Sequence, residues 1–286
     1  MSTITGLNLD NIDETSQEEI EAELVRTLRP RQTLYETSSY MVMLDYRPDF
    51  AKLHRRAARA MASTPGGTLL NSLGHLYVYI NTGWEIGIYN TFRSCQVQGV
   101  TRAQLLEVVM AAQVSAGMVG LECLYRAVSG ILRDFRDRDE PAHFPAGWAP
   151  DMAAFKSGLD LSTQHMTEPD LHAINAWYMR TIGEIPRSIA FTAEHDPDFL
   201  KAYRAKWEGA FRGALPKQLM PYMMLRYATV CGFRDGIREA ALLCRAWGMA
   251  KQHVVHAVIA AAYYKNGMDV IHVAQDALAD VFATWP

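Results

Sequence analysis

Apolar residues recur along most of this chain at the three-to-four-residue spacing of an α-helix buried on one side. Between 102 and 116 that face is Leu105, Val108, Val109, Ala112 and Ala116, and between 251 and 262 it is Val254, Val255, Val258 and Ala262. End signals fall where the spacing lapses. Gly99 suits the left-handed position just past a helix, and Thr101 with Gln104 makes a capping box for the next one. Ser16 with Glu19 makes a similar box ahead of an acidic helix running to about Thr27. The clearest strand-like run, His75 to Ile80, fits a buried helix equally well. The pattern predicts an all-α protein.

Sliding the chain along itself shows a repeat. At an offset of 149, without a gap, Pro48-Asp49-Phe50 falls on Pro197-Asp198-Phe199, Lys52 on Lys201 and Arg55 on Arg204. In the same register Gly83 meets Gly232, Gly87-Ile88 meets Gly236-Ile237, Cys95 meets Cys244, Gly99 meets Gly248 and Ala111-Ala112 meets Ala260-Ala261. One extra residue in the second copy then brings Gly117-Met118 onto Gly267-Met268. A register held over 65 positions predicts a tandem duplication of one helical unit. The expected organisation is an acidic helical extension over 1–30, a first repeat over 31–135, a linker over 136–167 rich in Pro and charge, and a second repeat over 168–286.

Composition removes several function classes. The 286 residues are 49% hydrophobic and 21% charged, which excludes disordered and fibrous proteins. Lys and Arg number 28 against 31 Asp and Glu, a net charge of −3, and no basic arm is present, so no nucleic-acid partner is expected. The four cysteines, at 95, 123, 231 and 244, form no C-x-x-C pair and no zinc spacing, as suits a reducing compartment. The N-terminus MSTITGLNLDNIDE has no basic or apolar leader segment, and no stretch holds 18 uninterrupted apolar residues. A cytoplasmic protein without a membrane partner is expected.

The repeat resembles a known family. The run G-V-T-R-A-Q-L-L-E-V-V-M-A-A from Gly99 to Ala112, following a glycine-terminated helix, is similar to a segment of the carboxymuconolactone decarboxylase and alkylhydroperoxidase D superfamily. Ile185 to Ser188, His195 to Phe199 and Leu215 to Leu219 resemble that family's entry segment and the start of its next helix. The resemblance implies an all-α oligomer. It also places a Cys-x-x-Cys-x-x-x-His helix just before the helix-ending glycine. Here those three positions are Trp84, Gly87 and Thr91 in the first copy and Phe233, Gly236 and Ala240 in the second. Dithiol peroxidase chemistry needs an attacking and a resolving thiol, so it is excluded, and the decarboxylase histidine is missing as well.

Candidate chemistry is read from what remains. If the family's pocket is kept, the first-copy helices at Leu69 to Asn81 and Trp84 to Gln98 line it. Glu85, Tyr89 and Arg93 fall at i, i+4 and i+8, one stripe carrying an acid, a phenol and a guanidinium. Glu85 is the expected proton-transfer carboxylate and Tyr89 the oxyanion donor, with His75 as alternative base and Asn81, Trp84 and Arg93 against the substrate. The ordinary alternative is a solvated Glu85–Arg93 face beside a satisfied core histidine. In the second copy Arg234, Arg238 and Glu239 share a stripe, with Tyr227 and Cys231 on the helix before. Two arginines one turn apart fit a substrate carboxylate. Surface pairing of Arg238 with Asp235, or of Arg234 with Glu239, explains them equally well. His253 with His256, and His272 with Asp276, share helix faces at ligand spacing but complete no metal motif, so no metal or other cofactor is expected. The Met- and Tyr-rich runs at 177–179, 220–227 and 263–264 read as core, subunit interface or an apolar ligand pocket.

The reading these features support is a cofactor-free carboxymuconolactone decarboxylase-like enzyme. Its substrate would be a small organic acid, lactone or related carbonyl compound, and its chemistry decarboxylation, C–C cleavage, hydrolysis or isomerisation by proton transfer. The alternative is a non-catalytic helical oligomer binding a hydrophobic small molecule or a protein partner. A pocket holding His75 or Glu85 beside an arginine favours the first, and one of Met, Leu and aromatics alone favours the second. A homo-oligomer, dimer or trimer, is expected in either case.

Overall fold

The computed structural model describes residues 67–264 and 267–285, and before them a scatter of residues between Ser16 and Ala60. The chain divides into two compact units, Met1–Gly67 and Thr68–Pro286. In the first, Ser16 and Glu19 cap each other's backbone N–H groups at 2.8 and 3.2 Å, as the capping box requires. The end of that helix near Thr27 and the sequence matches at 48–55 lie largely outside the described residues.

From Gly67 onward the described residues form ten α-helices and one 3-10 turn, with no strand. They are α1 (Gly67–Thr82), α2 (Glu85–Val97), α3 (Arg102–Arg133), α4 (Glu168–Ile182), α5 (Arg187–His195), α6 (Pro197–Gly209), α7 (Leu219–Val230), α8 (Arg234–Ala246), α9 (Lys251–Tyr264) and α10 (Asp269–Ala283). His75 to Ile80 is helical within α1, because Leu70, Leu73, Leu76, Tyr77 and Ile80 all enter the core. Thr101 and Gln104 cap α3 reciprocally, at 3.0 and 3.3 Å.

Helix bounds recur under the offset found in the sequence. Both α2 and α8 are 13 residues long and begin at 85 and 234, while α3 and α9 begin at 102 and 251. The residues leading into α2 and α8, Trp84 and Phe233, share one backbone conformation, φ −89° with ψ 87° and 91°. Gly99 and Gly248 are left-handed at φ 80° and 73°. Gly117, at φ 60° and ψ −154°, occupies a region open in practice only to glycine and breaks α3 in the middle. By length and composition α3 is apolar enough to cross a membrane, although its first half contributes Leu105, Val108, Val109, Ala111 and Ala112 to the core.

One continuous core runs from Leu70 to Val281, so helices before and after the middle segment share it. That segment, 136–167, has no α-helix, only the 3-10 turn Met152–Phe155. It is pinned at Phe155, which stacks on Phe211 at 4.5 Å, and at Ala154, whose carbonyl accepts from Trp177 Nε1 at 3.0 Å. Glu107 of α3 serves as a cap within this fold. Its carboxylate accepts the backbone N–H groups of Arg212, Ala214 and Leu215 at 2.6 to 2.9 Å. Glu107→Ala leaves three N–H groups without that acceptor, and urea denaturation should show a loss of about 2–3 kcal/mol.

Candidate functional site

A cavity of about 530 Å³ lies among α7, α8 and the α5–α6 pair, with Tyr77 of α1 and Val114 and Ser115 of α3 closing one side. Its size is that of a small-molecule site. Met220, Met224, Tyr178, Tyr203, Phe199 and Trp207 are among its lining residues, and Ser188, Thr192 and Cys231 add hydroxyls and a thiol. Among the described residues of the lining, Glu239 is the one carboxylate and there is no Lys, Arg or His.

The position of Glu239 follows from the packing of α8. Arg238 reaches back to the residues after α4, where its Nε and Nη2 take both oxygens of Glu184 at 3.0 and 2.9 Å, and its Nη1 binds Asp280 of α10. The rotation of α8 is set by its buried face of Ile237, Ala240, Ala241 and Cys244, and the clamp holds Arg238 at the margin of that face. Residue 239, one step of 100° further round the helix, then turns into the cavity. Burial pushes the Glu239 carboxyl up to about 7, against the pull of the Arg204 guanidinium and with the repulsion of Glu184. Arg204 is itself neutralised beneath the cavity: it binds Glu208 at 2.9 Å and lies over the Trp177 and Trp207 rings at 3.9 and 4.4 Å. Burial also raises the phenols of Tyr178 and Tyr203, so both stay protonated as hydrogen-bond donors at neutral pH.

No protein-family model, curated protein or solved structure matches this chain.

The structure redistributes the residues expected from sequence. Glu85 is half-exposed and paired with Arg126 at 3.0 Å, so the desolvation expected of it is absent. Arg93 is exposed, bonds Gln96 at 3.2 Å and lies 5.9 Å from the Tyr89 ring centre, so the Glu85–Tyr89–Arg93 stripe faces solvent and encloses nothing. His75 is spent on Arg226, with Nε2 and Nη2 2.6 Å apart, and burial with that neighbouring charge holds its pKa well below the usual histidine value. It is uncharged at neutral pH, and its lone pair is occupied. Asn81 bonds the Tyr77 carbonyl and Ser115 at 2.9 and 2.7 Å, and Trp84 packs edge-on against Tyr79.

In the second half the expected arginine clamp is missing, because Arg238 is consumed by Glu184 and Asp280 while Arg234 is exposed beside Asp235. Of the residues singled out there, Tyr227 does line the cavity, with its phenol raised to about 12 mainly by burial. Among the described residues no three His, Cys, Asp or Glu side chains are placed to hold a metal ion. His256 meets the Tyr222 hydroxyl at 3.1 Å, His253 packs on Trp148, and His272 is exposed on α10. Met223, expected in part to serve an interface, is wholly buried.

Sequence reasoning grouped Glu239 with Arg234 and Arg238, either as a candidate stripe or as a surface partner of Arg234, and passed over Tyr203, Ser188 and Thr192 as site residues. The signal available was the unequal polarity of the two copies: position 239 is acidic where its counterpart, 90, is asparagine.

Proposed function

We propose that the chain is a cofactor-free enzyme in which Glu239 transfers a proton to or from a small, largely apolar carbonyl compound, such as a ketone, ester or lactone, bound in the second-half cavity. One observation carries this reading: the only carboxylate of an apolar 530 Å³ cavity is held near neutrality, where acid and base forms coexist. Tyr178 and Tyr203 supply hydroxyls for a developing oxyanion. The lining narrows the substrate class. A carboxylate substrate would meet no cation there and would face Glu239, so an uncharged carbonyl fits better than an organic acid. We read the chain as a tandem-duplicated relative of the carboxymuconolactone decarboxylase-like proteins on the recurrence of helix bounds and left-handed glycines. Glu239 lies one residue before Ala240, where that resemblance puts the family histidine.

A proton-transfer site washes deuterium into the carbon next to a bound carbonyl. Incubation with a panel of neutral ketones and lactones in D₂O, followed by NMR, should show Glu239-dependent exchange. Exchange that is absent throughout, or equal in Glu239→Gln, contradicts the reading.

The non-catalytic binder is favoured by the Met and aromatic share of the lining, and it predicts ligand binding that is indifferent to Glu239→Gln. Assembly into a homo-oligomer is part of our reading, supported by the exposed Met118, Val119 and Tyr125 on the second half of α3. Light scattering at micromolar concentration should report two or three chains per particle, and a monomer mass would refute it.

A further inference from the structure

At the 149-residue offset, residues that line the Glu239 cavity are matched by residues of different chemistry that meet between α1 and α7. Arg226 stands where the cavity has Tyr77, Asn71 where it has Met220, and His75 where it has Met224. An apolar wall is thus replaced by a polar cluster, and the cluster is in contact: Arg226 Nη1 donates to the Asn71 carbonyl and Oδ1 at 3.3 and 3.1 Å, and Nη2 meets His75. Aromatic rings pack against this cluster. Tyr79, Tyr264 and Trp84 take the places of Ala228, Ser115 and Phe233. Tyr79 stacks on His75 at 5.3 Å and meets Tyr264 at 5.2 Å and Trp84 at 4.6 Å.

Arg226 is the unusual member. It is 0% exposed, has no carboxylate partner among the described residues, and its Nε has no hydrogen-bond partner. The titratable groups around it are His75, Tyr222 and Tyr79, and none is a carboxylate that could balance a guanidinium. Burying a charge without a counter-ion is among the costliest arrangements in a fold. The open donor is Nε, on the Nε–Nη2 edge whose other nitrogen is held by the uncharged His75, and that edge is the fork that takes both oxygens of a carboxylate.

We propose that this first-half cluster is a second ligand site, closed in this structure, which takes a small carboxylate on the Nε–Nη2 edge of Arg226. Entry requires Tyr79, Trp84 and Tyr264 to swing aside. Trp84 is the hinge point accessible from outside, being 47% exposed. His75, uncharged, gives up Nη2 to the incoming oxygen. The two halves then divide the labour by charge, the second taking an uncharged molecule beside a carboxyl and the first an anion beside a guanidinium. The inference is independent of the role given to Glu239.

Benzoate and its uncharged isostere benzamide are suitable probes, read by thermal unfolding of the full chain. Benzoate should raise the Tm by about 2–4 °C once it stands roughly tenfold above its Kd, in the wild type and in Trp84→Ala. Benzamide should not, Glu239→Gln should respond as the wild type does, and Arg226→Met should lose the response. No benzoate response in either the wild type or Trp84→Ala overturns the proposal, as does a response shared by benzamide or kept by Arg226→Met. Should Arg226→Met fail to fold, crystals of Trp84→Ala soaked in 4-bromobenzoate decide: a bromine anomalous peak beside Arg226 supports the site, and a peak confined elsewhere, or none, rejects it.

Discussion

Glu239→Gln is expected to lower the rate of deuterium exchange at a bound carbonyl by about 10²- to 10⁴-fold, the usual worth of a positioned general base. The change keeps the side chain's shape, so binding should survive it. Glu85→Gln and His75→Asn serve as controls and should leave the rate within about twofold, since one carboxylate faces solvent on Arg126 and the imidazole is spent on Arg226. If Glu239 acts as base, the wild-type rate rises with pH and levels off above about 7, where burial has placed its titration. The same shift has a stability consequence of definite sign. A carboxyl whose folded pKa is raised binds its proton more tightly in the folded state, so the fold loses stability as pH rises from the unfolded value near 4.5 to about 7. Glu239→Gln removes that loss and should stabilise the fold at pH 8 by about 2–3 kcal/mol, read by urea denaturation.

Asp170→Ala should produce the opposite result, a loss of about 3–5 kcal/mol, because it leaves a buried ammonium without its anion. Lys201 Nζ lies 2.7 Å from Asp170 Oδ2, with both side chains almost wholly buried, and also donates to the His165 carbonyl at 2.9 Å. Asp170 also accepts from Asp160 N at 2.9 Å and from the Thr167 hydroxyl at 2.7 Å, so one carboxylate fastens the segment before α4 to α6. The hydrogen bond from Lys201 is the main reason its pKa falls far below the usual aspartate value. A lowered carboxyl pKa stabilises the fold above the unfolded value and ceases to do so as pH drops through that value and below. Wild-type stability should therefore fall steeply below about pH 4, and Asp170→Ala should flatten that fall. Asp170→Leu with Lys201→Met removes both charges and should recover much of the loss.

Periodicity and caps were enough to read the helices. The face of Leu105, Val108, Val109 and Ala112 is buried as the 3.6-residue spacing requires, and the Thr101–Gln104 box closes as written. Both are local, since every group involved lies within a few residues of its partner. The candidate site was less legible, because a helical stripe says which side chains share a face but not what covers that face. Glu85 looked inward from its own helix, yet α3 brings Arg126 to it across 41 residues. Arg238 looked like a substrate clamp until Glu184, 54 residues earlier, and Asp280, 42 later, claimed it. Glu239 lines the cavity because the neighbouring helices cover its side of α8, a placement that only the tertiary packing discloses.

The most direct test of the account is the titration of Glu239 itself. In protein carrying ¹³C-labelled glutamate carboxyl groups, with the resonance assigned by its loss in Glu239→Gln, the account predicts a midpoint at about 7. It further predicts that a neutral ketone bound in the cavity displaces this midpoint. A Glu239 resonance titrating between about 4 and 5, as an ordinary solvated carboxyl does, would contradict the account.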